Sequence, residues 1–547
     1  MPERAPVTAA MMLSLTVPLA FSVGIAASFA APLEPELPRL YVDTSPVAPS
    51  GRTIPVPADG DFQAALNAAR PGDVIVLEAG ATFTGPFSLP SKPGSGWITV
   101  RPNTSDRSLP AGTRANPSHA IDMPKLVAGH GSVLTTEPGA HHYRFVRIEI
   151  QPREGAFLHN LVLLGHSETS VEDLPHHIIF DRCYLHGDPK KGTRRGIAMN
   201  GRSIAVVDSH LSDFKEVGQD SQAILGWSGS GPFKIVNSYL EAAGENVMFG
   251  SGDPHIPNLV PSDIEIRRNH FSKPLTWKIG DPRYEGTPWT IKNLFELKNA
   301  RRVLIEGNLF EYNWAHAQHG FAIQLTVRNQ DGNAPWSVIE DVVFSNNIVR
   351  HTASGINILG FDDNRPSQQA KRILIRNNLF EDVSHARWGG GGILFQLLRG
   401  TADVVIEHNT GFQTGNIIMA DGLPHSGFVY RANISPHNDY GIIGTGTGVG
   451  LSTLKTYFPD SVIKSNVFIG GNANQYPHGN FFPPLIESLR FVDRTGGNYR
   501  LTGPSPFKRS GLDGKDPGVD FDSLCAVVAP TPHPQPFCDA HSVPGKP

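Results

Sequence analysis

The sequence is poor in cysteine and in charge, and both shortages exclude classes of protein. Three cysteines in 547 residues cannot support a disulfide-rich scaffold. Charged residues make up 18% of the chain and the formal net charge is -4, which argues against a nucleic-acid binder that relies on bulk positive charge. The hydrophobic share of 39% is still enough to bury a large core, so the chain is not a charge-extended disordered protein.

Glycine and proline are abundant instead. The chain has 56 glycines and 46 prolines without a tripeptide period, which excludes collagen and indicates many turns. At about 150 residues per domain the length suggests three or four domains, although all-β proteins often run longer as one unit.

The N-terminus has the features of a secretory leader. Residues 5–33 carry no charge, and small residues at Ser28 and Ala30 favour cleavage after Ala30. A membrane anchor is the alternative reading, because the uncharged run is long enough to span a bilayer, but Pro18 and the cleavage pattern argue against it. We expect residues 1–30 to be a signal peptide, the mature protein to be secreted (periplasmic or extracellular), and no membrane span to remain.

Export makes a disulfide possible. Cys525 and Cys538 lie thirteen positions apart in a Pro-rich tail, so we expect a local bridge, which would contribute about 3 kcal/mol if it is unstrained. Cys183 lies in an apolar strand-like segment, and we expect it to be a buried thiol. The spacing does not indicate a zinc site.

One pattern recurs along the chain, as in Ile264-Glu-Ile-Arg-Arg-Asn269-His-Phe: alternating apolar residues, then a polar centre, then another apolar residue. The ten copies centre on Cys183, Ser209, Ser238, Asn269, Asn308, Asn347, Asn378, Asn409, Asn433 and Asn466. Alternation with period two predicts short strands, and units of at least 24 residues predict a solenoid whose turns contact only their neighbours. We expect each central Asn to bond its own turn and to stack on the next Asn.

The repeat resembles the right-handed parallel β-helix of pectate-lyase-like secreted proteins. The segment 61–83 is similar to their N-terminal cap, a short helix followed by the first strand, and the segment 498–520 is similar to the closing segment of many secreted bacterial β-helix proteins. This resemblance implies an all-β fold, a single-stranded right-handed parallel β-helix with a short N-terminal capping helix. The expected domains, in chain order, are a linker at 31–52, the β-helix at 53–524 and a Pro-rich tail at 525–547.

Solenoids carry function on loops inserted between their turns. The two longest spacings, both 39 residues, flank Asn308 and contain two insertions, 272–293 and 311–340, that are rich in Trp, His, Arg and Asp. Aromatic faces in an exposed groove suit a sugar chain, and packing within the loops is the alternative. The tryptophans concerned are Trp277, Trp289, Trp314 and Trp336.

Alternation along three consecutive strands predicts which side chains face outward. Asn246, Glu296, Lys298 and Arg328 would then form one outward cluster, with Gln324 beside them. In the following turns, Asn357 and Gln396 would extend a sugar subsite.

This cluster suits β-elimination on a uronate-containing polysaccharide. The reaction needs a neutralised carboxylate, a base at the α carbon and stabilisation of the leaving oxygen. Ca²⁺ held by Glu296 and Asn246 would neutralise the carboxylate. Lys298 would be the base, and Arg328 would orient the carboxylate or stabilise developing charge. A solvated ladder of Glu, Lys and Arg across adjacent strands is the structural alternative.

The segments Glu296-Leu-Lys298-Asn and Leu325-Thr-Val-Arg328-Asn329 resemble the chondroitinase-B and alginate-lyase group of β-helix lyases. That group has calcium-binding Asn and Glu residues beside a Lys base and an Arg. Two departures stand out: one Glu precedes the Lys here where the group typically has two, and the separation from Lys to Arg is longer.

Further candidates lie in the loops beside the cluster. Glu245 and Asp253 are additional candidate cation ligands, and His316 and His319 are candidate acid, base or hydrogen-bonding groups. The expected partner is an acidic polysaccharide, and the expected state is a monomer. A glycoside hydrolase that pairs Glu296 with Asp253 or Asp331 and a non-catalytic glycan-binding solenoid remain alternatives.

Overall fold

A computed structural model describes residues 33–528 and Cys538. The predicted signal peptide therefore lies outside the described residues. Within the described part, no helix is both long enough and apolar enough to cross a membrane.

Three long parallel sheets, which we call A, B and C, make up the protein. The 14 strands of sheet A are Thr53–Val56, Val74–Leu77, Ile98–Pro102, His141–Val146, His176–Asp181, Arg202–Val207, Phe233–Val236, Ser262–Arg267, Ala300–Glu306, Ile339–Ser345, Lys371–Arg376, Ala402–Glu407, Val429–Arg431 and Val462–Lys464. The 13 strands of sheet B are Thr82–Thr84, Lys125–Ala128, Glu149–Pro152, Tyr184–His186, His210–Phe214, Tyr239–Ala242, His270–Ser272, Leu309–Asn313, Ile348–Thr352, Leu379–Val383, Thr410–Gln413, Ile434–Pro436 and Val467–Ile469. The 12 strands of sheet C are Phe87–Leu89, Leu134–Thr136, Asn160–Leu164, Arg195–Met199, Gln222–Gly226, Glu245–Phe249, Phe295–Leu297, Phe321–Thr326, Ser354–Leu359, Phe395–Leu398, Ile418–Asp421 and Ile442–Gly444.

Helices and one hairpin complete the described elements. The α-helices are Phe62–Ala68, His385–Trp388, Leu451–Tyr457 and Phe521–Val527. The 3₁₀ helices are Asp106–Ser108, Pro117–Asp122, Leu275–Trp277, Ala473–Gln475 and Ile486–Leu489. The antiparallel hairpin consists of Phe491–Asp493 and Asn498–Leu501.

The chain visits sheets A, B and C in turn, and each strand pairs in parallel with its equivalent one turn later. The prediction of a right-handed parallel β-helix is thereby confirmed. The helix Phe62–Ala68 caps its N-terminal end, where Asp61 accepts the amide of Ala64 and Phe62 packs edge-on against Phe87. Inward side chains from all three sheets form one continuous apolar core.

A ladder of hydrogen bonds connects the ten repeat centres at the bend between sheets A and B. From Cys183 to Asn466, each backbone N–H donates to the side-chain oxygen of the next centre, at 2.9–3.1 Å. From Asn269 onward each amide nitrogen also donates to the next amide oxygen. Asn480, which the repeat pattern did not include, extends the ladder by one step.

A left-handed backbone residue precedes every rung and produces the bend. Arg268, Asn346 and Asn377 have φ values of 54°, 55° and 57°, and Gly307 has 66°. This conformation ends the strand of sheet A and turns the next residue inward, where its side chain meets the rungs of the neighbouring turns. The Asn of the repeat is therefore a structural residue, as its position predicts.

The two ends of the described chain pack against the solenoid. The segment 33–52 lies along sheet A, where the amides of Glu36 and Arg39 donate to Asp341 and Asp263. The helix Phe521–Val527 covers apolar side chains of sheet B, and Cys525 is joined to Cys538 by a disulfide. Cys183 is a buried free thiol.

We expect Asn347→Ala to lower the free energy of unfolding by about 3 kcal/mol, because it leaves the buried Asn308 N–H and Ile305 carbonyl unpaired. Denaturant unfolding measures the loss. Asn474→Ala, at an exposed position outside the ladder, is the matched control and should change stability by less than about 0.5 kcal/mol. Equal losses in the two variants would contradict a stabilising role for the ladder.

Candidate functional site

The outward face of sheet C carries a continuous row of side chains across its central turns. In order along the solenoid, the row consists of Met248, Glu296, Gln324, Asn357 and Gln396. Phe295 and Leu297 lie in the core, and Glu296 between them therefore points outward. Neighbouring members of the row lie on strands about 4.8 Å apart, which suits contact with one extended ligand.

Glu296 is held in a fixed orientation although it faces outward. Its side chain is only 4% exposed. The amide of Asn293 donates to one carboxylate oxygen at 3.0 Å, and the hydroxyl of Thr326 donates to the other at 3.2 Å. The Nζ of Lys298 lies 3.9 Å from the second oxygen. Two hydrogen bonds and one ion pair thus position the carboxylate.

Lys298 is the cationic group beside this carboxylate, and Arg328 lies one turn further along the solenoid. The side chain of Lys298 is 14% exposed, and among the described residues its Nζ has no hydrogen-bond acceptor. The backbone N–H of Arg328 donates to the Lys298 carbonyl at 2.9 Å, so the two residues lie next to each other just beyond the ends of adjacent strands. The Nη1 of Arg328 is bonded to Asp362 and Asp363, whereas its Nε and Nη2 have no partner within the described part of the chain.

The amides of the row form a directed chain of hydrogen bonds. Asn357 donates to Gln324 at 2.9 Å, and Gln324 donates to Gln318 at 2.8 Å. In this series of hydrogen bonds, the Oδ1 of Asn357 is a buried acceptor that receives no donor. The Oδ1 of Asn293 is also buried and receives no donor. Buried acceptors are normally satisfied, so each of these two atoms is suited to accept a hydrogen bond from a buried water molecule.

The remaining candidate binding residues lie around this row. Gln396 is the last member of the row. Its side chain is half-buried and has no hydrogen-bond partner among the described residues. His316 and His319 are exposed on the loop that leads into the strand Phe321–Thr326. The Nδ1 of His316 accepts the backbone N–H of Ile291 at 3.3 Å, which ties this loop to the preceding insertion.

The prediction that Trp314 is a sugar-binding platform is wrong. Trp314 is 4% exposed and packs with Trp277 and Trp289 in a separate apolar cluster under the two insertions. Trp336 is half-buried and donates its indole N–H to the Leu259 carbonyl. Packing within the loops, the alternative reading, accounts for Trp277, Trp289 and Trp314.

The prediction that Asn246 faces outward is also wrong. Asn246 is fully buried, and its amide nitrogen donates to the carbonyls of Leu240 and Ser272, which belong to sheet B. Strict alternation fails here because Asn246 lies at the beginning of the strand Glu245–Phe249, directly after the corner between sheets B and C. Its Oδ1 accepts the amino group of Lys273, so neither end of the amide is available to a ligand.

The proposed calcium ligands do not converge on one point. Glu245 is fully buried, accepts the Gln222 amide at 2.7 Å and pairs with Lys292 at 2.9 Å. A carboxylate oxygen of Asp253 accepts the backbone N–H groups of residues 331 and 333, which fixes a loop. Of the four predicted ligands, only Glu296 belongs to the outward row of sheet C. This donor set does not fit Ca²⁺, which takes six to eight oxygen ligands.

Lysine side chains provide positive charge beside these glutamates. Burial raises the pKa of Glu245, and the attraction of Lys292 opposes the rise. Burial opposes the protonation of Lys292, yet Glu245 and Asp220 raise its pKa above the usual value. The positive charge that a bound metal would supply next to Glu245 is therefore supplied by the protein itself.

Lys273 is a further positioning residue that sequence reasoning missed. It is fully buried, and its amino group donates to the carbonyls of Ala242, Ala243 and Gly244 at 2.7–3.0 Å and to Asn246. These contacts fix the corner from which the strand Glu245–Phe249 begins. A Lys-Pro pair directly after a strand gives no sign of such a role in the sequence. Asn293 was also missed, although its position three residues before Glu296 was a usable signal.

No protein-family model and no curated protein sequence matches the chain. Among solved structures, the chain is similar to the PL6 family alginate lyase AlyGC at 14% identity, with a TM-score of 0.49 over 86% of this chain and 58% of that one. It is also similar to an alginate lyase from Paenibacillus sp. str. FPU-7 at 16% identity, with a TM-score of 0.30 over 72% and 98% of the two chains.

Pectate lyase Pel9A is a third similar structure, at 12% identity and a TM-score of 0.33 over 85% of this chain and 92% of that one. The fold follows from the three parallel sheets of the chain itself: the protein is a right-handed parallel β-helix.

We expect Lys273→Met to lower the free energy of unfolding by about 3 kcal/mol, because it removes the donor shared by four buried oxygens. The thermal midpoint reports the loss. Lys455→Met, on an exposed helical surface, is the matched control and should leave the midpoint nearly unchanged. If both variants unfold at the wild-type midpoint, Lys273 does not stabilise the corner.

Proposed function

We propose that the outward face of sheet C is the active site of a secreted polysaccharide lyase that cleaves a uronate-containing polymer by β-elimination. The observation that carries the proposal is the Lys298 amino group, which lies 3.9 Å from the Glu296 carboxylate and has no hydrogen-bond acceptor among the described residues. An amine in this position can exchange a proton with a ligand in the groove without first breaking a hydrogen bond.

Lys298 is the proposed base. In its neutral form it removes the proton at the carbon α to the uronate carboxylate, and a double bond forms as the bond to the 4-linked oxygen breaks. The same ammonium then returns the proton to the leaving oxygen, so the lysine ends the cycle neutral. Glu296, fixed by Asn293 and Thr326, holds the lysine over the groove.

Arg328 is the proposed carboxylate-binding group. Two of its guanidinium nitrogens have no partner among the described residues, and a planar guanidinium can bind a carboxylate with two parallel hydrogen bonds. Asp362 and Asp363 hold its third nitrogen and so fix the plane of the group. Neutralising the uronate carboxylate in this way lowers the pKa of the C–H group on the adjacent carbon.

The amide row is the proposed sugar-binding surface. The half-buried side chains of Gln324, Asn357 and Gln396 offer amide groups to sugar hydroxyls along three successive turns. His316 and His319, on the exposed loop beside the row, are within the same proposed subsite. A polar, mostly uncharged surface of this kind binds hydroxyl groups, while the two cationic groups provide the preference for an acidic polymer.

We expect Lys298→Ala to lower the rate of elimination by at least about 100-fold, since a positioned base contributes at least that much. The assay incubates the purified protein with alginate, polygalacturonate and chondroitin and follows the ultraviolet absorbance of unsaturated ends. Lys371→Ala, in an ion pair on sheet A, is the control and should retain wild-type activity. Release of reducing ends without unsaturated product would identify a hydrolase, and binding without turnover would identify a glycan-binding solenoid.

We expect activity to be unchanged when calcium is removed with EGTA, because the predicted ligands are engaged within the protein and lysines supply the local positive charge. The measurement compares elimination rates in excess Ca²⁺ and in chelator on the same substrate. Loss of activity in EGTA that only Ca²⁺ restores would show that the site binds calcium as the resemblance implies.

A further inference from the structure

Four histidines form a cluster on sheet A, away from the row on sheet C. His141 and His142 begin one strand, and His176 and His177 begin the equivalent strand one turn later. The register pairs His141 with His176, so the two His-His pairs lie directly beside one another. All four side chains are partly buried.

Backbone geometry brings each pair together. Successive side chains of a regular strand point to opposite faces, but His142 and His177 have φ values of 59° and 55°. This left-handed conformation breaks the alternation and turns both rings of a pair to the same side. The Nδ1 atoms of His141 and His142 are therefore 2.7 Å apart, as are those of His176 and His177.

The rings are stacked across the two turns. His141 and His176 stack at 4.6 Å, and His142 and His177 stack at 4.5 Å. Trp97 closes one side of the cluster with an edge contact to His142 at 5.3 Å.

The same backbone position has a different composition in later turns. There the left-handed residues are Asp263, Arg302, Asp341 and Arg372, which form ion pairs between consecutive turns. In those turns, opposite charges satisfy the stacked side chains. The histidine pairs have no such opposite charges between them. The residue that pairs with His176 on the next strand of sheet A is Arg202.

We propose that His141, His142 and His176 bind a late first-row divalent metal ion such as Zn²⁺. One ligand nitrogen from each of the three residues lies within 4.8 Å of the other two, and within the described part of the chain this is the one group of three or more His, Cys, Asp or Glu residues with that property. Imidazole nitrogens are the ligands that Zn²⁺, Cu²⁺ and Ni²⁺ prefer, and hard cations such as Ca²⁺ select oxygen instead.

Small side-chain adjustments bring the nitrogens to bonding distance. Two ligands bound to one tetrahedral Zn²⁺ at about 2.0–2.1 Å are about 3.3 Å apart. The Nδ1 atoms of His141 and His142, now hydrogen-bonded at 2.7 Å, therefore need to separate by about 0.6 Å and to exchange that hydrogen bond for the metal. Ligands from two consecutive turns would make the ion a clamp between the strands His141–Val146 and His176–Asp181. A fourth position would remain open to water or to an external ligand.

The test is to titrate tag-free protein with Zn²⁺. Isothermal calorimetry measures the binding, and the midpoint of thermal unfolding is measured with and without the ion. We expect one Zn²⁺ per chain and a higher midpoint in the wild type. The double variant His142→Asn/His176→Asn should bind Zn²⁺ at least about tenfold more weakly and lose the shift in midpoint. His130→Asn, an exposed histidine outside the cluster, is the matched control and should behave as the wild type.

X-ray absorption spectroscopy on zinc-loaded wild-type protein decides the assignment if the double variant fails to fold. A zinc ion with three imidazole nitrogens at about 2.0–2.1 Å supports the site. A wild type that binds no Zn²⁺, a double variant that binds it as tightly as the wild type, or a spectrum without imidazole ligands would each overturn it.

Discussion

Hydrogen bonding between equivalent residues of successive turns is the interaction on which the rest of this structure depends. A parallel strand pairs with the next turn through its backbone, but a bend has no such partners, and its polar groups would be buried unpaired. The ladder from Cys183 to Asn480 solves this at one of the bends: each side-chain oxygen accepts the backbone N–H of the preceding rung. Where Asn replaces Ser, a second bond between the amides is added.

Exact stacking also determines how functional groups can be arranged. Once the register is fixed, residues at one position of every turn form a row. The Asn row lies at the bend between sheets A and B, whereas the His pairs and the ion pairs occupy one position of sheet A in different turns. The candidate site depends on this property, because Glu296, Gln324 and Asn357 occupy the same position in three successive strands of sheet C. Residues that leave the pattern lie at corners, and Asn246 and Lys273 are bonded there to backbone carbonyls.

The fold and the face of the site were predictable from the sequence, because both follow from period-two alternation and from the repeat of a polar centre. The outward position of Glu296 follows directly from Phe295 and Leu297 beside it. The orientation of Asn246 was not predictable, because alternation does not apply at a corner. The burial of Trp314 depends on how two insertions pack together, and the convergence of His141 and His142 depends on a left-handed residue that no residue type at that position demands.

The central claim is that a uronate polymer lies along the outward face of sheet C with its carboxylate at Arg328 and its α carbon at Lys298. A crystal structure of the Lys298→Ala variant soaked with a uronate oligosaccharide tests this most directly. The account predicts a saccharide across the strands Phe295–Leu297 to Phe395–Leu398, with hydroxyls bonded to the half-buried amide side chains of Gln324, Asn357 and Gln396. A saccharide bound on another face, or an empty row at saturating oligosaccharide, would contradict it.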